Sequence, residues 1–249
     1  MQSKSWRQRI RGLGVLAAFL SVALVVTGGP GHRFGVIPDV GIALRIFAAG
    51  AIVAALAVVL LLVAAFLKRR NGEAGWGMHL FALLLATAIV VQFGMAVKTA
   101  RSVPPIHDIT TDTTNPPQFK ALAAARADAP NPIEYAGDEV AAAQREAYPD
   151  IQTLQVAAAP AVALDAAEVA AAAQGWTVVR LDGENQLEAT DVTFWFGFKD
   201  DVIVRVTPTG DGSAIDIRSK SRVGISDVGA NAARIRTLAA AIKAQLSAQ

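Results

Sequence analysis

Residues 42–67 read IALRIFAAGAIVAALAVVLLLVAAFL, and this stretch decides the fold class of the first hundred residues. Arg45 is its only charged residue. A helix rises about 1.5 Å per residue, so one of this length can cross a hydrocarbon core about 30 Å thick. Two further apolar runs flank it. The pattern predicts a transmembrane region over residues 1–100, with three helices at about 12–27, 42–67 and 78–97.

The first apolar run follows a basic start that contains Lys4, Arg7, Arg9 and Arg11. A charged start before a short apolar run is also the pattern of a signal peptide. No small-x-small cleavage motif follows it, and the GGPG sequence at 28–31 is typical of a tight turn between helices. We expect a retained anchor, with a cleaved signal peptide as the alternative.

Basic residues also predict the orientation of the spans. They cluster before the first run and again directly after the second, at Lys68, Arg69 and Arg70. The positive-inside rule then places the N-terminus and the 68–77 loop in the cytoplasm. The C-terminal domain is expected outside it, on the periplasmic side of a bacterial inner membrane. Lys98 and Arg101, which follow the third run, oppose this orientation.

Charge is unevenly divided along the chain. Residues 1–101 carry eleven Lys and Arg against two Asp and Glu, whereas residues 102–249 carry twelve against nineteen. An acidic domain repels phosphate backbones, so we expect no nucleic-acid partner. Membrane lipids and a protein of a membrane complex are the expected partners. The absence of cysteine excludes disulfides and thiolate metal sites, and we expect no metal and no cofactor.

Residues 101–249 predict one extramembrane α+β domain. Apolar periodicity and capping residues predict helices at about 115–127, 138–147, 166–174 and 228–246. A period of two predicts strands at about 176–181, 187–196, 202–207 and 214–220, with a fifth at 152–156. The expected fold class is α+β: an antiparallel four- to five-stranded meander covered by helices, on an all-α three-helix transmembrane anchor.

Alternation along the strands predicts two faces for this sheet. Residues 202, 204, 206, 215 and 217 are apolar and should lie beneath the helices, joined by Val192, Phe194 and Phe196. The other face should carry Trp195 and most of the charged residues. A symmetric turn at 210–211 would put Arg205 directly opposite Asp216.

The densest polar stretch runs from 216 to 234, leaving a strand, crossing a glycine-bearing loop and entering a helix. Loop amides at a helix N-terminus, with Arg218, Arg222 and Arg234 nearby, could hold a phosphate or carboxylate. In the alternative interpretation Ser226 or Asp227 caps the helix and the arginines pair with carboxylates of the domain.

The same stretch carries the pattern RSxSRxGxxDxGxNxxRI at 218–235. Together with RSVPPIHDITTD at 101–112 and AYPDI at 147–151, it closely resembles bacterial proteins of the domain-of-unknown-function family 1499. The resemblance covers residues 101–249, although the chain lacks the cysteine-rich beginning of some members. It implies a family signature, to which we add Trp195 as a ligand-binding candidate. The signature residues are Arg218, Ser219, Ser221, Arg222, Gly224, Asp227, Gly229, Asn231 and Arg234.

Other constellations are weaker. His107 is the only histidine of the domain, and we expect it to be a loop residue beside a solvated acid. Asp200 and Asp201 are adjacent, and we expect a solvated turn there. The function expected is a membrane-anchored periplasmic binding or envelope-support module for an amphiphilic or anionic ligand. The alternatives are a hydrolase of envelope lipids, with His107 or Asp227 in acid–base roles, and a structural subunit of a membrane complex.

Overall fold

The computed structural model describes residues 6–71 and 74–248. Lys4, part of the 68–77 loop and the last residue of the predicted domain lie outside these ranges. Three long helices come first: α1 (Trp6–Arg33), α2 (Val40–Arg70) and α3 (Gly77–Ser102). Each is long and apolar enough to cross a membrane, and the three predicted spans fall within them. The chain therefore carries a three-helix anchor suited to membrane association.

The predicted turn at residues 28–31 is wrong, because α1 continues through Pro30. A helix in a membrane must satisfy its own backbone hydrogen bonds, which favours continuing the helix over opening a turn. The glycines serve packing instead. A Cβ atom on Gly28 would lie only 2.7 Å from the Ala43 carbonyl oxygen of α2, so the two helices approach closely there.

The chain divides into two compact units. One contains the helices up to Lys98 together with the segment Phe194–Gly197. The other contains Thr99–Thr193 and the chain from Phe198 onward, and it is the α+β domain. Its elements are β1 (Asp108–Thr110), α4 (Asp138–Ala147), β2 (Leu154–Val156), α5 (Pro160–Ala173), β3 (Thr177–Arg180), β4 (Gln186–Val192), β5 (Lys199–Thr209), β6 (Gly212–Ser221) and α6 (Ala230–Ser247).

Six strands form one antiparallel sheet, five of them in the order β1–β6–β5–β4–β3. Strand β2 lies on the same side of β6 as β1, but it pairs with the beginning of β6, whereas β1 pairs with its end. The predicted meander corresponds to β3–β6 and the predicted fifth strand to β2. Strand β1 was missed because three residues are too few to show alternation. The side chain of Gln144 closes its outer edge: the Thr110 N–H donates to Oε1 at 2.9 Å, and Nε2 donates to the Thr110 carbonyl at 2.6 Å.

The core lies between the sheet and helices α5 and α6. Residues 202, 204, 206, 215 and 217 are buried there against Leu238 and Ile242, as alternation predicts. The prediction that Val192 and Phe194 join this face is wrong. Strand β4 ends at Val192, and these side chains are 45% and 82% exposed. Phe196 also lies beyond the strand.

The predicted helix at 115–127 is wrong, since only a short 3₁₀ turn forms, at Ala124–Arg126. Tertiary contacts replace helical hydrogen bonds along this segment. The buried Glu188 carboxylate accepts the N–H groups of residues 120–122 at 2.6 to 3.2 Å. The chain between β1 and α4, residues 111–137, therefore lies as a covering loop over the charged face of the sheet. Local sequence patterns cannot indicate a carboxylate that is so distant along the chain.

Helices α4 and α6 lie where they were predicted, whereas α5 begins at Pro160, six residues earlier than predicted. Asp165 and Glu168, whose spacing suggested a capping box, pair with Arg180 on β3 instead. Gly175 ends the helix in a left-handed conformation with φ of 79°, as its position predicts.

Candidate functional site

Arg218 lies on the charged face of β6 and is fully buried. Its Nε and Nη2 donate to the two carboxylate oxygens of Asp108 at 2.8 and 2.9 Å, the bidentate geometry of a strong charged pair. Nη1 donates to the carbonyl of Pro117 and Nη2 to that of Ile133. Four guanidinium hydrogen bonds are thus made inside the domain, so Arg218 is a clamp between β1, β6 and the covering loop.

Asp108 has a second cationic partner. Lys220 donates from Nζ to Asp108 Oδ2 at 2.9 Å, and burial lowers the pKa of Lys220. Tyr135 packs its ring against the guanidinium of Arg218, and its buried hydroxyl has no partner within the described residues. Burial first, and then the charge of Asp108, raise the pKa of Tyr135 to about 12. The charged groups of this cluster, Arg218, Lys220 and Asp108, are all buried.

Arg222 forms a second cluster around Asp201. Its Nε and Nη2 donate to the two Asp201 oxygens, both at 2.8 Å. Arg126, from the covering loop, donates to the same carboxylate at 2.6 Å, as does Thr190 at 2.7 Å. Burial opposes ionisation of Asp201, but the hydrogen bonds from Arg222, Thr190 and Arg126 outweigh it and hold its pKa below the ordinary value. The predicted solvated turn at Asp201 is wrong, because this side chain is completely buried.

The same charged face confirms the predicted cross-strand pair. Arg205 is in register with Asp216 and donates to it at 2.8 Å. Asp112 of the covering loop is a second acceptor for Arg205 at 3.2 Å. Every arginine named so far on this face therefore has a carboxylate partner.

Arg234 belongs to the opposite, helix-covered side of the sheet. It projects from α6 and donates to Asp191 and Asp200, with Nη2 at 2.7 Å from each. Asp200 is only 4% exposed, so the expectation of a solvated acid is wrong here too. Nη1 also donates to Asn231 at 2.7 Å. Arg234 thus connects α6 to the start of β5.

Asn231 is hydrogen-bonded to three other parts of the domain. Its Oδ1 accepts from Ser219 at 2.6 Å, and its Nδ2 donates to Ser221 and to the His107 carbonyl, both at 3.0 Å. The residue is completely buried in the first turn of α6. It therefore joins the last helix to β6 and to the segment that enters the domain from α3.

Asp227 and Gly229 shape the start of α6. The N–H groups of Gly229 and Asn231 donate to the two Asp227 oxygens at 2.7 and 2.8 Å, which satisfies backbone donors that the helix leaves open. Burial raises the pKa of Asp227. Gly229 has φ of 82°, where a side chain would be strained. These contacts match the alternative interpretation, in which Asp227 caps the helix.

The candidate residues thus form structural clusters on both sides of β6, except for Gly224 of the signature and the separately proposed Trp195. Gly224 is in the exposed loop, where its carbonyl accepts from Asn131 at 2.9 Å. Trp195 belongs to the other compact unit. Its indole ring lies so close to Gly29 that a Cβ atom on that residue would clash with it. The sequence identified the basic partners but missed the acids Asp108 and Asp201, whose pairing depends on strand register.

Besides a groove of about 400 Å³ at the β5–β6 turn, two surface grooves lie elsewhere on the domain. One of about 380 Å³ runs between α6 and residues 150–155, with Arg236 and Lys243 in its lining. Arg236 pairs there with Asp150 at 2.6 Å, and this hydrogen bond lowers the pKa of Asp150. The other, of about 300 Å³, adjoins Tyr148. Neither groove is lined by Arg218 or Arg222.

His107 is close to the signature loop, but mainly through its backbone. Its carbonyl accepts the Ser221 N–H at 3.0 Å, whereas its ring Nδ1 lies 3.5 Å from the Ile225 carbonyl. Across residues 6–71 and 74–248, no group of three His, Asp or Glu side chains could hold a metal ion. Within the described residues, the signature side chains therefore hold strands, loop and helix together through internal hydrogen bonds and ion pairs.

The α+β domain was compared with known families and proteins. A family model described as "Protein of unknown function (DUF1499)" matches residues 108–242. Comparisons with curated proteins and with solved structures gave no match. The matched region begins at β1 and ends within α6, so it contains the sheet and all the signature contacts described above. Because the match covers more than half of its length, the chain belongs to the family described as Protein of unknown function (DUF1499).

Proposed function

We propose that the chain is a non-catalytic module, held by three spans on the periplasmic side of a bacterial inner membrane, that binds or supports another envelope component. One observation supports this proposal: the signature arginines are paired with carboxylates inside the domain rather than left open to a substrate. Arg218, Arg222 and Arg234 each hold a carboxylate in a buried or nearly buried pair. A catalytic centre instead needs polar groups that face a substrate.

Buried ion pairs of this kind favour a single arrangement of the chain, because breaking one leaves an uncompensated charge. Here the pairs join β6 to β1, the covering loop to β5, and α6 to β5. The result is a domain whose strands, loop and last helix are held together by internal ion pairs. This property suits a support module, whose value lies in its shape.

An anionic or amphiphilic ligand is the second part of the proposal. Arg222 is the signature arginine that such a ligand would meet first, because its side chain is 14% exposed whereas that of Arg218 is not exposed. The ligand would compete with Asp201 for the guanidinium. A ligand of this class has to bind more tightly than an internal carboxylate already in place.

Native mass spectrometry of the full chain, extracted from its membrane in mild detergent, tests this part. A retained anionic species should be lost in Arg222→Lys, which keeps the charge but removes the bidentate fork. Arg236→Lys is the matched control, since its pair with Asp150 is solvent-exposed. If both variants retain the anionic species equally, the proposed anion site is refuted. If the native chain and both variants carry no bound species, the domain has a support role alone.

The non-catalytic assignment has its own test. The full chain is incubated with an extract of envelope lipids, and products are followed by mass spectrometry. We expect no new species. Products that form with the native chain and disappear in His107→Gln would overturn the assignment in favour of the hydrolase.

The orientation can be tested because the chain contains no cysteine. Asp211→Cys places a thiol on the exposed β5–β6 turn, and Asn71→Cys places one after α2. A membrane-impermeant maleimide added to spheroplasts should label the first variant and not the second. The reverse pattern would place the domain in the cytoplasm.

A further inference from the structure

One end of the helix unit collects basic residues with no acidic counterpart among the described residues. Helices α1 and α2 run antiparallel, because the Cβ position of Gly14 contacts Leu61 while that of Gly28 contacts Ala43. The start of α1 and the end of α2 therefore lie at one end. We call the six cations there the basic cluster: Arg7, Arg9, Arg11, Lys68, Arg69 and Arg70.

No ion pair joins the basic cluster to an acid within residues 6–71 and 74–102. The only acidic residue that the structure describes in those ranges is Asp39, and it caps the opposite end of α2 by accepting the Ile42 N–H at 2.7 Å. The α+β domain behaves differently, since its buried cations are paired. A basic cluster at the end of membrane spans is the pattern that attracts anionic lipid headgroups.

Two members of this region are buried polar groups, which makes a defined site rather than a diffuse charge. Lys68 is 2% exposed, with its ammonium 4.7 Å from the Trp76 ring centroid. It donates one hydrogen bond, to the Gly75 carbonyl, and an ammonium has three donors. His79 is 1% exposed, and within the described residues no hydrogen bond of ordinary geometry reaches either ring nitrogen, although the backbone of Leu61 lies near enough to act on the ring. A buried imidazole with so little hydrogen bonding leaves capacity for a ligand or water.

The start of α3 adds a third element. Its first turn contains His79 and no acidic residue, and the first N–H groups of a helix have no intrahelical acceptors. These groups and the helix dipole favour an anion. The ring centroid of Trp76 lies 5.8 Å from that of His79, and the two rings are at right angles. Tryptophan is enriched at the level of the lipid headgroups, where this end of the helices is expected.

We propose that this end of the helix unit binds the phosphate of an anionic glycerophospholipid, held between Lys68, His79 and the first turn of α3. Arg11 and the exposed Arg69 and Arg70 supply the surrounding positive potential. The apolar faces of the helices continue from the site and accommodate the acyl chains. This site lies entirely in the helix unit and is independent of the function proposed for the α+β domain.

Native mass spectrometry of the detergent-solubilised full chain, titrated with dioleoyl phosphatidylglycerol or dioleoyl phosphatidylcholine, tests the proposal. We expect preferential binding of phosphatidylglycerol by the native chain. Lys68→Met should weaken it at least about fivefold, the scale of one basic charge at an anionic membrane surface, and His79→Leu should weaken it as well. Arg45→Met, an exposed cation near the other end of α2, is the matched control and should bind normally.

Equal binding of the two lipids by the native chain would overturn the proposal, as would Lys68→Met and His79→Leu variants that both bind like the control. Circular dichroism and gel filtration check that each variant is folded. If Lys68→Met does not fold, His79→Leu and Arg11→Met decide the outcome. Displacement of the lipid by inorganic phosphate at equal concentration would reassign the site to free phosphate and overturn the lipid assignment.

Discussion

Asp201 is a position at which a small chemical change should cost the domain much of its stability. Asp201→Asn keeps the shape of the side chain but removes the charge that Arg126 and Arg222 share. Both Asp201 and Arg126 have completely buried side chains, so the two guanidinium groups would lose their compensation inside the domain. Breaking a buried pair on one side typically costs about 3–5 kcal/mol.

A matched control separates this effect from loss of any ion pair. Asp150→Asn removes the partner of Arg236, where the two side chains are 55% and 44% exposed. Exposed pairs contribute about 0–1 kcal/mol. A second variant, Asp201→Asn with Arg126→Met, removes one of the stranded charges and should recover part of the loss.

Hydrogen–deuterium exchange of the full chain in detergent provides the assay, read on peptides from β5 and β6. Exchange there reports opening of the domain. Because 1.4 kcal/mol corresponds to a factor of ten, Asp201→Asn should accelerate exchange about 100-fold or more, and Asp150→Asn about fivefold at most. Acceleration of the same size in both variants would refute the reasoning that burial sets the cost.

The pH dependence follows from the depressed pKa of Asp201. A carboxyl whose pKa is lower in the folded state contributes stability above its ordinary value near 4, and this contribution is lost as the pH falls through the folded pKa. Thermal unfolding by circular dichroism should therefore show a clear difference between native and Asp201→Asn chains at pH 7. The difference should shrink towards pH 2.

Three further predictions concern other parts of the molecule. Burial raises the pKa of both tyrosines, that of Tyr135 to about 12. Ultraviolet titration of the folded chain should therefore show Tyr135 ionising near pH 12 and Tyr148 above its ordinary pKa, and stability should fall as the pH rises from about 10 towards 12. Normal titration near pH 10 in the folded chain would contradict this. Asn231→Ala leaves Ser219, Ser221 and Arg234 without their shared partner and should lower the free energy of unfolding of the domain by about 1–3 kcal/mol. Thermal unfolding measures this loss, and the control Thr237→Ala, on the exposed surface of α6, should have little effect. Gly28→Leu should separate α1 from α2, measured as faster proteolysis of the detergent-solubilised chain, and Gly12→Leu, which has open space, should not.

Patterns with a fixed period were predictable from the sequence. The apolar runs gave the three helices, and alternation gave β3–β6 together with the pairing of Arg205 with Asp216. Both depend only on residues that are neighbours in the chain or joined by a short turn. The left-handed Gly175 was predictable for the same reason.

The rest of the site depends on contacts between distant residues. Asp108 meets Arg218 across 110 positions, and Arg126 meets Asp201 across 75, so neither pair could be inferred from spacing. The failure at 115–127 has the same origin, because the Glu188 carboxylate replaces helical acceptors. Family resemblance indicated which basic residues matter, but only the fold shows that their partners are internal.

The position of β1 has a mechanical consequence. This three-residue strand follows α3 after only five residues, and it is hydrogen-bonded to β6. Any tension transmitted along the tether therefore enters the domain at β1, where the Asp108 pairs with Arg218 and Lys220 and the Gln144 clamp on Thr110 resist it together. These contacts lie within three residues of one another at the first element of the domain. The connection to the helices therefore ends at one of the most densely bonded points of the sheet.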